Sequence, residues 1–203
     1  MNIANKLTLF RVVIVPFFVF FMCFTGIEYR YLFALILFIL ASITDMLDGK
    51  IARKYNMVTN FGKFLDPLAD KILVAAALVC FVELGWTTAW VVFIVLAREF
   101  AVSGVRLAAV SGDKKAVIPA NIWGKLKTAF TMIAIIAVLF MHILESFGVI
   151  CNIVPDEYSY VPSAPQFPIQ IISDVLMYIT AALTLISGIK YVYDAREYIN
   201  PNK

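Results

Sequence analysis

Long apolar runs leave this chain few folds to choose from. There are six of them, separated by short polar segments. A helix rising about 1.5 Å per residue needs about 20 such residues to cross the hydrocarbon of a bilayer. Backbone groups in lipid must be satisfied internally, which leaves helices or closed barrels, and runs of this length select helices. Composition agrees. Of 203 residues, 62% are hydrophobic and only 15% charged, with a mean hydropathy of +0.88. A soluble domain rarely has so apolar a make-up. The expected fold is therefore an all-α membrane protein, a single domain over residues 1–203 with six transmembrane helices. The spans are expected at 1–25, 31–52, 66–84, 87–110, 122–144 and 169–193. Lys6 and Arg11 ahead of the run Val12–Phe24 imitate a signal peptide. No A-x-A-like cleavage site follows, so this run reads as a retained first helix.

Basic residues orient the bundle. With the N-terminus inside, Lys6, Lys50, Arg53, Lys54, Lys63, Lys114, Lys115, Lys125, Lys127, Arg196 and Lys203 fall on the inner side, against Arg30 alone outside. Such a bias puts both termini in the cytoplasm of a multi-pass protein of the cell (plasma) membrane. Residues 145–167, with Pro155, Pro162 and Pro165, become an outer loop. Trp86 and Trp90 read as one interfacial belt. Asp174 reads as interfacial near the outer end of the sixth span. The net charge of +3 gives no reason to expect nucleic acid as a partner. Cys23, Cys80 and Cys151 lack metal-ligand spacing. His142, the only histidine, stands without a partner motif.

Against this background, the stretch from Asp45 to Lys71 is out of place. It carries four aspartates, Asp45, Asp48, Asp66 and Asp70, between apolar runs. Carboxylates at such a boundary are costly unless something positive sits among them. At about 100° per residue, Asp45, Asp48, Gly49 and Ala52 fall within an arc of about 100° on one helix. Asp66 and Asp70 stack one turn apart on the next. Pro67 suits a helix start, with Asp66 as the N-cap and Pro67 at the first helical position. Two helices then aim two carboxylates each at one point. Oxygen-only ligands favour Mg²⁺ or Mn²⁺ over zinc. All four aspartates lie on the cytoplasmic side of the expected topology, so the polar cavity they form faces the cytoplasm. A polar loop with capping aspartates explains Asp66 but not Asp45 and Asp48 inside an apolar helix.

Asp45, Asp48, Gly49, Ala52, Arg53, Gly62, Asp66 and Asp70 reproduce a known spacing. It is D, two residues, D-G, two residues, A-R, eight residues, G, three residues, D, three residues, D. This stretch resembles the signature of the CDP-alcohol phosphotransferase family. The resemblance implies a six-helix fold and transfer of a phosphatidyl-type group from a CDP-alcohol to an acceptor hydroxyl, with CMP released. It implies two divalent ions, Mg²⁺ or Mn²⁺, held by Asp45, Asp48, Asp66 and Asp70, with Asp70 also taking the acceptor's proton. Asp48, Gly49, Ala52, Arg53 and Gly62 would lie against the CDP moiety. The phrases GKFLDPLADK, AREFAVSGVR and GKLKT, and N-K-L-T-L-F-R near the N-terminus, resemble the branch that makes phosphatidylglycerol phosphate. In that branch Asn5 and Thr8 face the nucleotide. Ala4 departs from the proline often found there. The implied partners are CDP-diacylglycerol, glycerol 3-phosphate and the lipid bilayer, and a homodimer is compatible with them. Other branches take inositol phosphate, serine or phosphatidylglycerol as acceptor.

Three cations suit an anionic acceptor: Arg98, Arg106 and Lys125. The competing reading is that Arg98 or Arg106 neutralises Glu99 to hold helices together. Lys125 and Lys127 differ by about 200° around a helix. Lys125 is the one expected in the pocket, and Lys127 is expected to point away as ordinary flanking charge. Arg11, deeper than Lys6, either snorkels or has a buried partner. Two rival functions share the acidic motif. An intramembrane prenyltransferase would also use paired aspartates and Mg²⁺, and a carrier would use them as an ion site. Release of CMP separates the first from a CDP-alcohol enzyme, and ion flux without a lipid product identifies the second.

Overall fold

The computed structural model describes residues 3–55, 60–111, 122–152 and 166–199. These form six helices and one minimal strand pair. The helices are α1 (Ile3–Cys23), α2 (Arg30–Tyr55), α3 (Asn60–Glu83), α4 (Ala89–Ser111), α5 (Ile122–Ser146) and α6 (Ile169–Ile199). Strands β1 (Cys151–Asn152) and β2 (Gln166–Phe167) pair in parallel, Cys151 opposite Gln166 and Asn152 opposite Phe167, and close the base of the expected outer loop.

Two helices end by the same device. Gly85 follows α3 at φ 72° and Gly148 follows α5 at φ 68°. The Gly85 amide donates to the Val82 carbonyl and the Trp86 amide to that of Phe81. Gly148 and Val149 repeat the pattern on Glu145 and Leu144. This is the Schellman arrangement, which satisfies the last carbonyls and needs a left-handed residue that glycine adopts without steric cost.

The helices pack in two groups. α1 lies against both α2 and α3, and α6 lies against both α4 and α5, with α2–α5 and α3–α4 contacts joining them. Phe18, Phe38, Leu78, Phe81, Ile135 and Leu139 fill the common core. The Phe18 and Phe38 rings sit 5.9 Å apart in a tilted pair.

The exterior is apolar as well. Phe17, Phe93, Phe100, Ile133 and Ile189 are all exposed. Two of the described helical segments, Ile122–Ser146 and Ile169–Asp194, are long and apolar enough to cross a membrane, and Leu7–Cys23 is a shorter apolar helix. The most apolar windows of those two are only 39% and 33% buried. The core helix of a soluble protein would be mostly covered; these turn most of their apolar surface outward, as lipid-facing helices do.

Several boundaries differ from the sequence expectation. α3 starts at Asn60, so Asp66 and Pro67 lie inside the helix and not at its N-cap and first position. An interior proline forfeits one backbone hydrogen bond, but membrane helices tolerate it where neighbouring groups re-satisfy the carbonyl. Pro16 inside α1 is a second case. α2 runs past Ala52 to Tyr55, and α6 runs past Tyr193 to Ile199, through the good helix formers Ala195, Arg196 and Glu197. Trp90 is exposed, as a belt residue should be, but Trp86 is buried in the core. The glycine turn after Glu83 folds Trp86 back over Phe81, their ring centroids 5.3 Å apart.

Candidate active site

The four motif aspartates come from two helices that meet at one end of the bundle. Asp45 and Asp48 are in the last turns of α2, and Asp66 and Asp70 are in the early turns of α3. Only residues 56–59 separate the two helices. Five chain steps of at most about 3.6 Å keep Tyr55 and Asn60 within about 18 Å of each other. The side chains of Asn5, Asp48, Ala52, Arg53, Asp66, Asp70 and Arg106, and the surroundings of Gly49 and Gly62, lie outside the described residues; their helices are described.

α1 presents a polar face to this end. Thr8 and Arg11, three residues apart, are both buried at 1% exposure. Arg11 Nη1 lies 2.8 Å from Asp45 Oδ1, and the Asp45 side chain remains 41% exposed. Arg11 is therefore buried against a half-exposed partner and does not snorkel. The pairing ties α1 to α2 and holds one carboxylate of the motif at the protein–water boundary. Desolvating a guanidinium this fully is tolerable only against such a partner.

A second polar cluster joins α3, α4, α5 and α6. Glu99 Oε1 accepts from Arg98 Nη1 at 2.8 Å and from Lys127 Nζ at 2.5 Å. Arg98 Nη2 donates to Ser187 Oγ on α6 at 2.7 Å. Gly188 makes room for this: a Cβ there would stand 2.9 Å from Arg98 Cγ. Lys71 of α3 donates to Ser103 Oγ, and Ser103 donates to the Glu99 carbonyl at 2.7 Å. Lys71, Glu99, Lys127 and Thr131 line a cavity of about 90 Å³ between α3, α4 and α5.

These positions change the picture of the cations. Lys127, expected to point away, is the buried lysine of α5 and the partner of Glu99, while Lys125 is exposed. The angular separation of the two was read correctly, but Glu99 on the neighbouring helix draws in the other one. Arg98 turns toward α6 and lines an apolar groove between α4 and α6, so the helix-holding reading describes it. Sequence reasoning assigned no role to Lys71, Ser103 or Ser187. Two signals were available: Ser103 four residues after Glu99, and Lys71 directly after Asp70 in an apolar run.

The other end of the bundle is closed by aromatic packing. His142 stacks on Trp86 at 3.7 Å and nearly parallel, and its Nδ1 lies 2.8 Å from Glu145 Oε2. His142 is thus a core residue with a local partner. Gln170 Nε2 reaches Asp174 Oδ2 at 3.4 Å within α6.

Comparison with known proteins places the chain. The model of the CDP-alcohol phosphatidyltransferase family matches residues 1–186. The chain belongs to that family. It is 39% identical over 201 residues to the CDP-diacylglycerol–glycerol-3-phosphate 3-phosphatidyltransferase of Bacillus subtilis, covering 94% of this chain and 93% of that one. It is 36% identical over 199 residues to the enzyme of the same name from Rickettsia typhi, covering 97% and 98%. It is 36% identical over 193 residues to a probable phosphatidylglycerophosphate synthase of Mycobacterium tuberculosis, covering 94% of this chain and 80% of that protein.

The donors of this family member fit a divalent metal. No group of three or more His, Cys, Asp or Glu side chains is gathered among the described residues. The one motif carboxylate that is described, Asp45, is partly exposed, and Arg11 engages one of its two oxygens. All four motif donors are carboxylates, with no thiol or imidazole beside them in the motif. That set suits a hard cation such as Mg²⁺ or Mn²⁺.

Proposed function

We propose that this protein transfers the phosphatidyl group of CDP-diacylglycerol to glycerol 3-phosphate, forming phosphatidylglycerol phosphate and CMP in phospholipid biosynthesis. The observation that carries this reading is near-full-length similarity, at 39% and 36% identity, to relatives named for this transfer. The intact eight-position aspartate signature supports it.

In this reading the protein crosses the membrane six times. Both termini and the aspartate end of the bundle face the cytoplasm, where CDP-activated donors and glycerol 3-phosphate meet. Asp45, Asp48, Asp66 and Asp70 would hold two divalent ions. When bound, these supply charge neutralisation at the diphosphate and at the departing CMP. Arg11 orients Asp45 from behind. Asn5, Thr8, Gly49, Ala52, Arg53 and Gly62 would receive the cytidine diphosphate, the small residues allowing close approach and Arg53 pairing with phosphate.

Asp70 takes the proton of the acceptor hydroxyl, a task that needs hydrogen-bond reach more than high basicity. The oxygen so exposed attacks the β-phosphorus. A new P–O bond forms as the bond to the CMP oxygen breaks, and CMP leaves with both electrons of that bond. Arg106 and Lys125 are assigned to the acceptor's phosphate, and Arg98 is released from that role by its contacts with Glu99 and Ser187.

The test is a transfer assay on detergent-purified protein with labelled CDP-diacylglycerol and a panel of acceptors. Magnesium-dependent CMP release with glycerol 3-phosphate, and little with inositol phosphate, serine or phosphatidylglycerol, is the expected result. Equal or better transfer to another acceptor would move the protein to a different branch.

A further inference from the structure

We propose that Lys71 is a positioning residue for Asp70, acting through Ser103 of α4. This rests on the reading that Asp70 is the base. The argument begins with where a lysine would otherwise go. Lys71 follows a carboxylate at the edge of an apolar run, and a lysine there ordinarily extends its stem toward water. Here its ammonium crosses to α4 and donates to Ser103 Oγ. The Ser103 hydroxyl has one hydrogen, and it is committed to the Glu99 carbonyl at 2.7 Å. Its oxygen is therefore left as an acceptor turned out from α4, which is what a lysine donor needs.

The link joins α3 to a helix that it packs against less than it does against α1. α3 packs chiefly against α1 and only lightly against α4. Apolar contacts resist separation of helices but are weak against small rotations, whereas a charge-assisted hydrogen bond is directional. α4 is itself anchored close by. Glu99 is bound to Lys127 of α5, and Arg98 to Ser187 of α6. Lys71 thus connects α3 to a part of the bundle that three helices hold in place.

Asp70 immediately precedes Lys71 on the same turn. A side-chain tip lies about 5–6 Å from the helix axis, so a rotation of α3 by about 10° carries the carboxylate about 1 Å. A misplacement of that size costs a reacting group on the order of 100-fold in rate. Restraining this rotation is a role that Lys71 performs without touching either substrate.

The experiment uses the full-length protein in detergent, with both substrates varied, and compares Lys71→Met, Ser103→Ala, the double variant and Lys71→Arg. Lys71→Met should lower kcat about 10- to 100-fold and leave both KM values within about threefold. Ser103→Ala should do the same in kind. The double variant should be no worse than Lys71→Met, because the two residues act as one unit. Lys71→Arg should recover most of kcat. Hydrogen–deuterium exchange gives a readout that needs no turnover: amides in the α3 turn holding Asp70 should exchange faster in Lys71→Met and in Ser103→Ala alike. Independent, additive losses would overturn the proposal, as would unchanged exchange in that turn. A raised KM for either substrate would make Lys71 a ligand instead. A wild-type protein that releases no CMP would sink the base role of Asp70 while the exchange result still decided whether Lys71 restrains α3.

Discussion

Arg11 and Asp45 illustrate how one residue pair can serve both stability and chemistry. Arg11 is 1% exposed and Asp45 41%, so their pairing is neither a surface ion pair nor a fully buried one. Surface pairs contribute about 0–1 kcal/mol, and breaking a buried pair costs about 3–5 kcal/mol. This one should fall between those limits. Either Arg11→Met or Asp45→Asn alone should lower the melting temperature in detergent, and Asp45→Asn the more, because it leaves a desolvated guanidinium without this partner. The double variant Arg11→Met/Asp45→Asn should regain much of the stability and none of the turnover, since Asp45 is also assigned to the metal. Recovery of turnover in the double variant would reduce Asp45 to a structural residue.

At the scale of the element, α5 shows how two lysines on one helix separate into different tasks. Lys127 is buried and bound to Glu99, and Lys125 is exposed near the same end. Lys127→Met removes a charge-assisted hydrogen bond worth about 1.5–3 kcal/mol. Chemical or thermal unfolding should show that loss, with little change in the KM for glycerol 3-phosphate. Lys125→Ala should do the reverse. Its stability should stay within about 0.5 kcal/mol of wild type. Its KM for glycerol 3-phosphate should rise roughly 10- to 150-fold, if one charged contact to the phosphate is lost. The KM for CDP-diacylglycerol should hardly move. A rise in the donor KM instead would place Lys125 at the diphosphate.

For the molecule as a whole, the prediction is topological. In a background with Cys23, Cys80 and Cys151 replaced by serine, Lys114→Cys should react with a membrane-impermeant maleimide only after the cells are opened. Ser163→Cys should react in intact cells. Labelling of both in intact cells would contradict the six-crossing arrangement with a cytoplasmic site. The apolar exterior of α5 and α6 suits lipid around them.

The sequence alone determined the helical class, the approximate helix ranges and the acidic motif. Each rests on local physics: run length against bilayer thickness, backbone satisfaction within a segment, and side-chain spacing on a helix. It also determined that Lys125 and Lys127 point to opposite sides of α5, since the angle between two residues of one helix is a property of that helix. Which of them faces inward was decided by Glu99 on α4, and only the packing of α4 and α5 on α6 puts that carboxylate there. The same holds for Arg11, whose partner lies on another helix, and for Lys71, whose acceptor is Ser103. Trp86 looked like a belt residue until the glycine turn carried it onto Phe81 and His142. The start of α3 was missed because Pro67 is a good opening residue in isolation, whereas the helix begins at Asn60 and carries the proline inside it. Pairings between helices depend on relative rotation and depth, which no single segment encodes, and they are set when the whole bundle buries its apolar faces together.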